Sequence, residues 1–289
     1  MVEEQSPTRP PWGNWVKTLA GLLAPTTVLT ALLLYFGFAY TDALYERFGV
    51  DAATLGFSTQ DYLLRSAGAL YLPVGTALLA GLLGVLGYHG VTAAGRAGSP
   101  LLPYLRGAAI GLTVCGLLLF LLGLLGGFRV WPARALDTPL LLGGGLLLVL
   151  YGRLLRVKAQ GQDYPVGREL PALALVAALI SLSAFWAANA YAHQHGRADA
   201  RYLADRLWLR PAITLDTAER LYFQHPDVTE ERLPVAGPEQ RFRFRYQGLR
   251  LLAQSGNRMF VIPDGWRADQ GSVLIVPADP TVRVAFRPG

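Results

Sequence analysis

At 289 residues, 52% of them hydrophobic and 16% charged, with a mean hydropathy of +0.32, the chain carries too little charge for an ordinary water-soluble domain, where about a quarter of residues are charged. Its net charge of +6 comes without any nucleic-acid-binding motif, which leaves basic membrane loops as the reading of that charge and sets nucleic acid aside. The one cysteine, Cys115, excludes a disulfide within the chain, and its place in an apolar block without nearby basic groups excludes it as a nucleophile.

Taken in order, residues 1–18 are Pro-rich and polar and read as a cytoplasmic leader, with Trp12 and Trp15 as interfacial anchors and Lys17 at headgroup level. The first span is expected at about 19–40. It is too long for the apolar region of a signal peptide, and Thr41-Asp42-Ala43 makes a poor cleavage site, so a retained span is favoured. Pro25 sits early in it beside Thr26, Thr27 and Thr30. Their hydroxyls can satisfy the carbonyls that the proline leaves free, and they are also the candidate pore-lining residues.

The loop from Thr41 to Arg65 is the most distinctive part of the membrane half. Asp42 and Glu46 are four apart among Leu44, Tyr45 and Phe48, which suggests a short amphipathic helix at the outer interface. Ser58 and Asp61 form a variant capping box that starts the next helix, with Phe57 and Tyr62 placed for a hydrophobic staple. The stretch FGVDAATLGFSTQDYLLRS resembles the first outer loop of uncharacterised multi-span membrane proteins of high-GC bacteria, and YQGLRLL in the tail shares the resemblance more weakly. The resemblance implies the multi-span architecture and attaches no activity.

Further spans are expected at about 67–88, 107–128, 139–157 and 170–192. The last reads LPALALVAALISLSAFWAANAYA, about what one helix needs to cross a hydrocarbon core of ~30 Å. The fourth is weakest, because its apolar core is short and Gly143-Gly144-Gly145 makes a poor isolated helix. Charge decides in its favour. With five spans and the N-terminus inside, Arg9, Lys17, Arg96, Arg106, Arg153, Arg156, Lys158 and Arg168 fall on the cytoplasmic side, against Arg47, Arg65, Arg129 and Arg134 outside. Five spans then leave the tail extracytoplasmic and place the protein in the cell membrane as a multi-pass protein.

Residues 193–210 read as a juxtamembrane connector that continues the fifth span as helix, and 211–289 as a small all-β domain. Ala212 to Leu215 starts a strand, and Arg241-Phe242-Arg243-Phe244-Arg245-Tyr246 alternates at period two. Ser255-Gly256-Asn257 reads as a hairpin loop into Met259 to Ile262, and strands follow at Val273 to Val276 and Val282 to Phe286. The expected fold is therefore an α-helical membrane bundle of five spans with a small C-terminal sandwich or open barrel.

Candidate sites follow from these faces. Arg241, Arg243 and Arg245 would form a comb on one strand face, either a solvated outer surface or a site for anionic headgroups, an anionic envelope polymer or an acidic partner. Ala77, Gly81 and Gly84, Gly107 and Gly111, and Gly123 and Gly127 form small-residue faces for helix packing within the bundle or between subunits. His193, His195 and Asp199 lack the spacing of a metal set and read as interfacial groups, with a pH-sensing role open. Asp42, Glu46, Asp51 and Asp61 are explained by capping and solvation. The spans hold no ionisable residue well inside the apolar core, which argues against a coupled transporter. No serine elbow, phosphate loop, zinc signature or haem motif is present, so no enzyme activity, cofactor or metal is expected. The leading expectation is a non-enzymatic envelope protein that presents its β-domain to a partner protein, lipid or wall polymer. The alternative is a homo-oligomeric channel or transport-complex subunit.

Overall fold

The computed structural model describes residues 12–96, 102–130, 133–160, 166–235, 237, 239–269 and 271–287. Residues 1–11 of the expected leader, the side chains of Trp12, Trp15, Lys17 and Thr26, and the terminal Gly289 lie outside the described residues. The helices are α1 (Trp12–Tyr45), α2 (Ala52–Leu55), α3 (Thr59–Arg96), α4 (Leu102–Gly127), α5 (Asp137–Ala159) and α6 (Val166–Asp205). The strands are β1 (Ala212–Thr217), β2 (Thr229–Arg232), β3 (Phe244–Ser255), β4 (Arg258–Pro263), β5 (Leu274–Pro277) and β6 (Val282–Arg287). Among the described residues, four helical stretches are long and apolar enough to cross a membrane: Leu70–Ala94, Pro103–Gly127, Asp137–Ala159 and Glu169–Asp205. The expected first span is helical within α1.

The chain divides into two compact units, one of Ala69–Gly196 and one of Met1–Gly68 with Arg197–Gly289. In the first, the weakly expected fourth span is a full helix of 23 residues. Its glycines are the reason it packs. A Cβ on Gly145 would lie 2.6 Å from the Phe120 nitrogen and 2.7 Å from the Gly116 carbonyl, and one on Gly152 would meet Thr113 and the Ala109 carbonyl. The α4 and α5 backbones therefore run in direct contact, the close approach that small residues permit between helices. Gly143 faces Ser183 of α6 in the same way. The triple glycine weakens an isolated helix but serves a packed one. At the end of α5, Arg156 and Lys158 complement the helix dipole. Arg106 donates from Nε (3.2 Å) and Nη2 (3.0 Å) to the Ala159 carbonyl, which would otherwise lack an intrahelical partner. Elsewhere the helices present apolar side chains outward, among them Leu78, Leu82 and Leu86 of α3 and Leu117 and Leu121 of α4.

In the second unit, α1 runs on through Tyr45 instead of breaking near residue 40, and a 3-10 turn at Glu46–Phe48 replaces the expected separate amphipathic helix. Gly49 stands at φ +73 as its left-handed C-cap. The capping box is present: the Asp61 carboxylate accepts from the Ser58 amide (2.9 Å) and the Ser58 Oγ accepts from the Asp61 amide (3.2 Å). The staple rings Phe57 and Tyr62 meet edge to face at 6.1 Å.

Of the expected sandwich or open barrel, the two-sheet sandwich is not what forms: the strands make one antiparallel sheet, six strands among the described residues in the order β5-β4-β3-β1-β6, with β2 also on β3. The twelve-residue β3 holds it together. β1 lies along one edge, while the other edge pairs first with β2 (Phe244 to Gln247) and then with β4 (Leu249 to Ser255). Gly248, at φ +82 with the Asp227 carbonyl close against it, marks the changeover. The hairpin at Gly256-Asn257 joins β3 to β4 as expected, with Gly256 at φ +55. The strand expected from Arg241 begins only at Phe244.

Candidate functional site: the head built from the α1–α3 loop and the sheet

The strand β4 is buried on both faces, and its alternate residues belong to two different cores. Met259 and Val261 join Ile213, Leu215, Tyr246, Leu249 and Val276 on one face. Phe260 and Ile262 join Leu252 and Trp266 on the other, and there the covering layer is not a second sheet. It is the α1–α3 loop, through Leu44, Tyr45, Phe48, Val50 and Leu55, together with Ala200 of α6 and Leu207 of the 3-10 turn after it. Phe48 and Trp266 are 4.7 Å apart between ring centroids. Polar ties follow the apolar ones. Ser255 Oγ donates to the Gly56 carbonyl at 2.7 Å, and Tyr40 donates to Asp199 at 2.7 Å, tying α1 to α6. Asp199, weighed from sequence as part of a histidine cluster, thus has a structural role. Arg65 lies 4.2 Å over the Phe57 ring. At the crossing of α1 and α3, Gly37 lies so close to the Tyr62 carbonyl that a Cβ would overlap it.

Away from that covered half, the same sheet carries an ionic centre that the sequence reading missed. Asp216 of β1 is buried, and its carboxylate accepts from Arg245 Nε at 2.7 Å and Nη2 at 3.0 Å. Arg283 of β6 adds Nε at 3.0 Å and a further short Nη2 contact. The three residues sit opposite one another in register across β3, β1 and β6. The Arg245 hydrogen bond, supported by that of Arg283, holds the Asp216 carboxyl below its ordinary range despite its burial. On the other face the Tyr246 hydroxyl accepts from the Leu221 amide (2.8 Å) and donates to Glu230 (3.2 Å). Burial raises its phenol above the ordinary value.

The candidate comb is therefore divided. Arg245 is half-buried and committed to Asp216, while Arg241 and Arg243 are exposed and precede the strand. Phe242 and Phe244 are partly buried and Tyr246 is fully buried, so the alternation of burial holds even where the strand does not. The signal for the missed partner lay in β1, where one aspartate is the only charged residue of a six-residue strand.

The small-residue candidates divide too. Gly123 packs on Leu141 and Leu142, Gly127 lies near Thr138 and Gly84 near Tyr151, whose hydroxyl donates to the Gly84 carbonyl at 2.8 Å. Gly81, Gly107 and Gly111 meet nothing within 4 Å among the described residues. Ala77 is exposed on α3, as are Thr27 and Thr30 on α1. Gly116, Gly145 and Gly152, which were not among the small-residue candidates, also join α4 to α5.

A cleft of about 460 Å³ opens beside the shared core, between the end of α6 and the turn after β4. Arg250 anchors both walls, donating to the Trp208 carbonyl (3.0 Å) and the Arg210 carbonyl (2.7 Å) on one side and to the Asp264 carboxylate on the other. Fold and geometry together define a chain of long apolar helices with a C-terminal antiparallel β-sheet that packs against the α1–α3 loop. Comparison with protein-family models, curated proteins and solved structures finds no match.

Proposed function

We propose that this is a multi-pass protein of the cell membrane, N-terminus cytoplasmic, whose extracytoplasmic head binds a component of the envelope without catalysis and serves as a binding or scaffolding module. The observation that supports it most is the shared core. The loop that joins α1 to α3 and the C-terminal sheet bury one another's apolar faces, so loop and sheet form one folded head. Such a head suits a module that presents one surface to a bound partner. The exposed Arg241 and Arg243 add a basic surface suited to anionic headgroups or polymers.

The test is co-sedimentation of the full-length protein in nanodiscs with isolated envelope material and with anionic vesicles. Binding that exceeds empty nanodiscs, and that weakens in Arg241→Ser/Arg243→Ser for anionic targets, is the expected result. No binding to either target at low salt overturns the reading.

A further inference from the structure

We infer that the cleft between Trp208 and the turn after β4 is a recognition site for one ring of an uncharged saccharide, a proposal that rests on the envelope-binding reading and names its ligand class. Three features of the site point that way.

The first is the indole. Trp208 is 59% exposed on a head whose other large aromatic at this place, Trp266, is 6% exposed. A tryptophan face left open beside a cleft is a flat apolar platform with a polar edge, the shape on which the C–H face of a pyranose stacks. The second is the charge. Asp205 and Asp264 face Arg250 and Arg267 around the cleft, two carboxylates against two guanidiniums, so the lining is neutral. It offers an anionic phosphate or uronate no net attraction. A polyhydroxylated ligand, in contrast, finds planar acceptors and planar donors at once. The third is preorganisation. Arg250 spans the cleft floor and holds both walls, and Trp266 behind it is wedged against Phe48, so the walls need no rearrangement to receive a ligand. A volume of about 460 Å³ accommodates a sugar unit with its neighbours running out into solvent. Asp205 and Arg267 are the exposed groups that reach the hydroxyls, and Arg250 is a positioning residue.

The experiment uses the full-length protein in lipid nanodiscs, free of sugar-headed detergent that would itself occupy the cleft. The probes are chitotriose, cellotriose and maltotriose, followed by calorimetry and by tryptophan emission. At least one trisaccharide is expected to saturate the protein. Trp208→Ala should then weaken it by about tenfold or more and Asp205→Asn by several-fold. Trp208 and Asp205 are exposed, so these variants should keep the wild-type melting temperature. Absence of saturation by all three probes overturns the proposal, as does a Trp208→Ala protein that binds as wild type. Co-sedimentation with envelope material that persists in either of those cases sinks the cleft and leaves the broader function standing. Loss of all envelope binding sinks both.

Discussion

The ring of Phe48, in the turn that ends α1, lies 4.7 Å from the indole of Trp266, which follows β4. Two parts of the chain that read as separate domains thus meet in one core. Truncating a buried Phe to Ala leaves a cavity and costs about 3–5 kcal/mol. Phe48→Ala should accordingly destabilise the sheet, although it lies outside it. Thermal unfolding followed through β-sheet ellipticity, or protease cleavage at the 255–258 hairpin, would show this; an unchanged melting temperature would refute the shared core.

The excised tail, roughly residues 197–289, should not behave as an independent domain. Removal of the α1–α3 loop bares Leu252, Phe260, Ile262 and Trp266 on one face of the sheet. An apolar patch of that kind drives association. The fragment should aggregate or show poorly dispersed amide resonances, and supplying the 41–65 segment in a fusion should restore dispersion. A soluble, well-dispersed fragment would show that the loop is dispensable.

Asp216 makes the head acid-sensitive. Its folded pKa lies below the unfolded value of about 3.9, so its contribution is fully present above that value and is lost as pH falls through the lower folded one. Charged hydrogen bonds of this sort contribute about 1.5–3 kcal/mol. Asp216→Asn should lose about that much at neutral pH and flatten the decline of stability in acid. Denaturant unfolding at pH 7 and at successively lower pH would measure both; a variant whose acid slope matches wild type would count against the assignment.

Gly145 and Gly111 should respond in opposite ways. A side chain on Gly145 must displace the α4 backbone, whereas one on Gly111 meets nothing within 4 Å among the described residues. Gly145→Val should separate α4 from α5, at a cost of about 1–3 kcal/mol or more, while Gly111→Val should be tolerated within the subunit. Melting temperatures of the two variants in one detergent would decide. If Gly111→Val melts lower while the oligomeric state also changes, its face belongs to a subunit interface, the other role open to it.

Orientation can be read at the hairpin. Asn257 is exposed at the β3–β4 turn. Asn257→Cys in a Cys115→Ser background should react with an impermeant maleimide on intact cells. Protection until the cells are lysed would reverse the orientation and with it the extracytoplasmic binding role.

What could be read without coordinates was local. The capping box of Ser58 and Asp61, the hairpin at Gly256 and Asn257, the helical connector past Tyr191 and the long apolar blocks each depend on residues a few positions apart. What could not be read depended on partners far along the chain. Alternation at Phe242 to Tyr246 suggested a comb of three arginines, but not that Arg245 would be bound to Asp216, 29 positions away. The glycine patterns at Gly107 and Gly123 looked alike, but among the described residues only Gly123 meets a neighbouring helix.

By itself, the sequence determined that long apolar blocks precede a strand-rich tail, and where the Ser58–Asp61 cap and the Gly256–Asn257 hairpin fall, because hydrophobic period and end-capping act over a single turn or hairpin. Tertiary structure alone decided that α1, the start of α3 and the end of α6 share one unit with the sheet, that β4 is buried on both faces, and which glycines let backbones touch. Burial of a face is set by whatever covers it. The cover for Phe260 and Ile262 comes from Phe48 and Leu55, some two hundred residues earlier, a distance at which no pattern in the chain speaks for itself.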